Sequence, residues 1–118
     1  MKRRLATALA LIAAPALAGE AEIVDAKAVQ IGQTWTFSVT LAHGDTGLDH
    51  YADAWHVIGP DGAVLGERVL LHPHVNEQPF TRSLSGVVVP DGVTEVVIEA
   101  KDSVHGWGEE KHIVQLKD

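Results

Sequence analysis

The stretch TWTFSVTLAH, Thr34–His43, decides the fold class. Trp35, Phe37, Val39 and Leu41 fall on one face, and Thr34, Thr36, Ser38 and Thr40 on the other. A period of two, with bulky apolar side chains against short hydroxyls, describes a strand buried on one side. His43 continues the apolar phase, so an imidazole is expected at the buried end of this strand.

The same pattern recurs on both sides. AEIVDAKAVQ opens the domain, and HYADAWHVIG, AVLGERVLLH and FTRSLSGVVV follow. PDGVTEVVIEAKD places Thr94, Val96, Ile98, Ala100 and Asp102 in one phase, and KHIVQLKD closes the chain. IGQ, HGDTG, GPDG, HPHVNEQP, PDG and HGWGEE separate these segments as turns or loops. About seven strands at a spacing of roughly 8–12 residues, with no 3.6-residue period beyond the N-terminus, predict an all-β fold. The expectation is an immunoglobulin-like antiparallel β-sandwich with Trp35 and Trp55 as core anchors. A small open barrel is the alternative.

Residues 1–18 read differently. MKRR is a basic start, LATALALIAAPAL is a short apolar run, and Ala16–Ala18 is a small-residue cleavage site. A signal peptide over 1–18 and a single domain over 19–118 are expected, which predicts a periplasmic or secreted protein with no membrane insertion after cleavage. Removing Lys2, Arg3 and Arg4 from the nine basic residues leaves six against sixteen acidic ones, a formal charge of −10. Such a surface disfavours nucleic acid and anionic lipid and favours cations or a basic periplasmic protein partner. There is no cysteine, so neither a disulfide nor a thiolate ligand is available.

All seven histidines lie in the domain. His43 ends one buried phase, Asp102 ends another, His105 follows three residues later, and His50 opens a strand. If these ends share one pole, imidazoles and a carboxylate converge on a site suited to zinc, copper, nickel or ferrous iron. Asp102 either joins such a cation or caps its own loop through the following backbone N–H groups. His72 and His74 in LLHPHV form a His-x-His pair pointing one way along an extended segment, with Glu77 as a candidate third ligand; otherwise they are solvated loop residues. His56, in the opposite phase to Trp55, reads as a sheet-face residue, and His112 is a weaker candidate for the pole of His105. Trp107 is either a lid over a site or a cover for the core. No phosphate loop is present, and Ser103, His105 and Asp102 lie too close in sequence for triad geometry.

The run of His43, then Asp49-His50-Tyr51 opening HYADAWHV, then Asp102-Ser103-Val104-His105-Gly106-Trp107, resembles the superoxide reductases, the neelaredoxin and desulfoferrodoxin iron proteins. That family places a His shortly before Glu-His-Tyr at a strand start and Cys-Asn-x-His-Gly near its C-terminus. The resemblance implies an immunoglobulin-like sandwich and an iron site near His43, His50 and His105. Two positions depart from the family: Asp102 stands where its axial cysteine ligand would be, and no histidine precedes His43. A carboxylate is harder and less donating than a thiolate, so the resemblance implies a related metal site more than superoxide reduction.

The expected function is therefore a periplasmic protein holding iron, copper or zinc, with His43, His50, His105, Asp102, His72 and His74 as candidate ligands. The alternative is a non-catalytic interaction module of an exported redox or transport complex. A pH-responsive domain ranks third. Histidines gathered in space favour the metal; scattered histidines favour the module.

Overall fold

The structure is a computed structural model and describes residues 20–117. The signal peptide expected over 1–18 lies outside the described residues. Eight strands follow in order: β1 Glu22–Ile31, β2 Thr34–Ala42, β3 Ala52–Ile58, β4 Val64–Val69, β5 Phe80–Val87, β6 Glu95–Asp102, β7 Gly106–Trp107 and β8 His112–Gln115. They form two sheets, and every pairing is antiparallel. One has the order β1-β2-β5, the other β4-β3-β6, with β7 and β8 sharing the far edge of β6. The described residues are all-β, in two separate sheets, and neither sheet closes into a barrel.

The strand phases explain the core. Trp35, Phe37, Val39 and Leu41 are buried along β2, and Val96, Ile98 and Ala100 along β6. With Trp55, Val57, Phe80 and Val87 they form one hydrophobic cluster that draws on both sheets. Hydroxyls meet on the outer face of β2, where Thr36, Ser38 and Thr40 bond Ser85, Ser83 and Thr81 on β5. Gly66 on β4 faces the opposite sheet closely: a Cβ there would lie 2.9 Å from Leu84 Cδ2. Overpacking, rather than backbone conformation, is what restricts this position.

Several boundaries and side chains differ from expectation. The third segment ends as a strand at Val69, because the chain then turns away through Leu71 and Pro73. β6 starts only at Glu95, and Thr94 is exposed. His56 is on the sheet face, as expected, yet it is buried there. It lies on the outer face of its sheet, 2.9 Å from Glu99 Oε1. Trp107 covers it, stacked with ring centroids 3.7 Å apart. Trp107 is thus neither a lid over a metal site nor a plug for the core. His112 pairs with Ile98, four residues along β6 from Asp102 and roughly 13 Å away. It does not reach the pole of His105.

Antiparallel pairing sets what meets at that pole. The end of β2, the starts of β3 and β5, and the ends of β4 and β6 all arrive together: Leu41 pairs with Phe80, Ala54 with Val69, and Ala52 with Asp102. Phe37 is fully buried at the centre of the cluster. Phe37→Ala is expected to lower unfolding free energy by about 3–5 kcal/mol, whereas Thr36→Ala on the outer face changes it by less than about 1 kcal/mol. Urea denaturation of the two variants measures the contrast.

Candidate metal site

Asp102 is the last residue of β6 and remains in the core-facing phase, with 1% of its surface exposed. The chain must leave the sheet immediately after it. Asp102 Oδ1 accepts the backbone N–H groups of Val104 at 2.8 Å and His105 at 2.7 Å, and Gly106 takes a positive φ of 76° to bring the chain back as β7. Ser103 ties this turn to the start of β3: its N–H donates to Tyr51 O, and its Oγ accepts from Tyr51 N. The loop-capping role expected of Asp102 is therefore present. It does not exhaust the carboxylate, which has a second oxygen and spare lone pairs.

Three imidazoles surround that carboxylate. His50 Nε2 lies 3.3 Å from Oδ1, His43 Nε2 lies 3.8 Å from Oδ2, and His105 Nδ1 lies 3.1 Å from both oxygens. The His43 and His50 rings meet edge to face, with centroids 4.7 Å apart. Ligand atoms of His43, His50 and Asp102 all fall within 4.8 Å of one another, so the trio can hold a metal ion. Donors about 2.1 Å from a tetrahedral centre lie roughly 3.4 Å from each other, the scale of the separations seen here. The more exposed His105 stands beside this trio, its ring centroid 5.1 Å from that of His50.

Asp45, part of the turn HGDTG in the sequence pattern, also belongs to this pole. Its Oδ1 lies 2.5 Å from His43 Nδ1 and also accepts Ala52 N at 3.1 Å. Its Oδ2 accepts the backbone N–H of His74 at 2.7 Å. With the proton held on Nδ1 by Asp45, His43 presents the Nε2 lone pair toward Asp102, the outer-shell arrangement common to metal-bound histidines. The signal was a carboxylate two residues after a histidine at a buried strand end. Gln78 adds a second brace: it accepts His43 N and donates to His74 O, each at 2.9 Å.

His72 and His74 do not join the trio. His72 is exposed, with its ring centroid 5.0 Å from that of His74. His74 is buried, stacked on Phe80, with Nε2 3.0 Å from Arg82 Nη2. Glu77 pairs with Arg82 rather than with either histidine.

The electrostatics at the pole are unusual for a buried site. The side chains of Asp45 and Asp102 are both 0% exposed, and among the described residues their ion-pair partners are histidines, with no Lys or Arg. Burial pushes the Asp102 carboxyl upward, but the backbone N–H groups of His105 and Val104 and the His105 ring outweigh it, so its pKa falls below the ordinary aspartate value. His74 is held below the ordinary histidine value, first by burial and then by Arg82 and His72.

No protein-family model and no solved structure matches the chain. A protein of Halomicrobium mukohataei named "Putative lipoprotein" is 45% identical over 99 residues, covering 83% of this chain and 48% of that protein. The chain thus spans about half the length of the relative it matches.

The depressed pKa of His74 gives a pH dependence. Above about pH 6.5 the histidine is neutral in both folded and unfolded states; below it, down to the folded pKa, the unfolded chain alone takes up the proton. Stability therefore falls on acidification through this window. Urea midpoints of wild type and His74→Gln between pH 7.5 and about 5.5 should converge as pH falls, because the variant lacks this contribution.

Proposed function

We propose that this chain is an exported, immunoglobulin-like β-sandwich domain that binds one divalent transition metal ion through His43, His50 and Asp102, with His105 as the adjacent fourth ligand. The observation that carries this reading is charge. Among the described residues the two fully buried carboxylates have histidines and no Lys or Arg as ion-pair partners, so with the histidines neutral the pole carries about two uncompensated negative charges. A dication supplies that balance and takes the lone pairs that neutral imidazoles offer. The outer-shell bond from His43 to Asp45 supports the same reading.

The strand order β1-β2-β5 against β4-β3-β6-β8 supports the immunoglobulin-like architecture. The name of the Halomicrobium mukohataei relative agrees with an exported location. Clustering of His43, His50 and His105 favours metal binding over the interaction module. The resemblance to superoxide reductases fits the position of the site, with iron, copper or zinc as the metal. Asp102 in place of an axial thiolate makes holding or handing over the ion the better-supported role than superoxide reduction.

Metal analysis and visible absorption of untagged protein test the proposal. About one ion per chain is expected, coloured for iron or copper and colourless for zinc. His50→Ala and Asp102→Asn should abolish stoichiometric loading, and Asp45→Asn should weaken affinity about 10–100-fold by loosening His43. Stoichiometry far below one, or loading indifferent to His50→Ala, would falsify the proposal.

A further inference from the structure

A second group of polar side chains at this pole has the opposite sign. A pocket of about 110 Å³ lies beside the end of β4, with Arg68, Leu70, His72, His74 and Arg82 in its walls. Acidic residues outnumber basic ones sixteen to nine in the chain, yet no acidic side chain lines this pocket among the described residues.

Two of its buried donors lack acceptors, while Arg82 Nη1 donates to Thr81 O at 2.7 Å. Arg68 pairs with Trp55 across β3 and β4, which turns its side chain to the core-facing side of the strand. Its Nε is buried with no hydrogen-bond partner. His74 Nδ1 is buried in the same condition. Arg82 Nη2 donates to His74 Nε2 at 3.0 Å, so His74 is neutral and carries its proton on Nδ1. Arg82 reaches one carboxylate, that of Glu77, whose side chain is 56% exposed. A guanidinium N–H buried without an acceptor is costly unless a ligand supplies one. The positive field here also contributes to holding His74 below its ordinary pKa, after burial.

We propose that this pocket binds a small tetrahedral oxyanion of the sulfate or phosphate class between the guanidinium groups of Arg68 and Arg82, with His72 at its exposed side. Guanidinium forks match such oxygens in geometry as well as charge. A volume of about 110 Å³ accommodates an ion of five heavy atoms, a water molecule having a share of roughly 30 Å³ in the liquid. Glu77 is the competing anion within the chain: its single ion pair occupies one face of Arg82 from the solvent side. The site does not depend on a metal at the neighbouring histidines.

The test is an NMR titration of the whole purified protein, following the arginine Nε–H signals. The protein is first dialysed against EDTA and then against buffer, so that no bound metal contributes. Sodium sulfate, phosphate, acetate and chloride are compared at constant ionic strength. Saturable shifts of the Arg68 and Arg82 signals with sulfate or phosphate, and not with chloride or acetate, are expected. Arg68→Gln should weaken binding about tenfold or more, the loss of one charge-assisted contact. Glu77→Gln should tighten it, a direction that a folding defect cannot produce. Non-saturating shifts, equal responses to all four anions, or sulfate and phosphate affinities unchanged in both variants would overturn the proposal.

Discussion

A carboxylate at the buried end of a core strand must be given partners, and this domain has two of them within one pole. Asp102 ends β6 in the phase of Val96, Ile98 and Ala100, and Asp45 follows β2 with its side chain equally enclosed. The local chain meets both demands at once. The turn after Asp102 donates two backbone N–H groups, and Asp45 gathers the N–H groups of Ala52 and His74. Hydrogen bonds satisfy oxygen atoms but leave net charge in place, and neutral imidazoles beside the carboxylates do not remove it.

The pole is a layered electrostatic arrangement. Inside are two carboxylates and the rings of His43 and His50; outside are Arg82, Arg68 and the 70–74 segment. Hydrogen bonds run from Arg82 through His74 to Asp45 and on to His43, whose Nε2 lies 3.8 Å from Asp102 Oδ2. His74 therefore braces the site without reaching the ligand group. Its ring is held by Phe80 and Arg82 while its backbone N–H serves Asp45. Such second-layer fixation holds the side chains of the cluster in place.

The opposite face of β6 uses an imidazole quite differently. His56 sits against Glu99, which also bonds Lys111, and Trp107 stacks over the ring. Here one carboxylate is balanced by a lysine and shared with one histidine, and burial comes from an aromatic cover rather than from the core. The Glu99 carboxyl is pushed up by burial, but the His56 and Lys111 contacts outweigh that and leave it below the ordinary glutamate range. Comparison of the two clusters shows what distinguishes the pole: carboxylates lacking a lysine or arginine partner among the described residues.

Alternation of side chains in TWTFSVTLAH and TEVVIEAKD was enough to place every core residue of β2 and β6, because a strand has one phase and its buried face must be apolar. The same alternation put His43 and Asp102 at buried strand ends. What local pattern cannot hold is pairing. Asp45 looked like a turn residue until the start of β3 and the 72–78 loop were brought to its two oxygens. His72 and His74 read as a ligand pair or as solvated loop residues, and neither reading includes Arg82, eight residues on, at the Nε2 of His74. Trp107 and His56, 51 positions apart, met because β7 folds back along β6 beside β3. The sequence determined which residues face inward, since that depends on neighbours two positions away. Tertiary structure decided which inward-facing groups share a charge, since that depends on strands far apart in the chain.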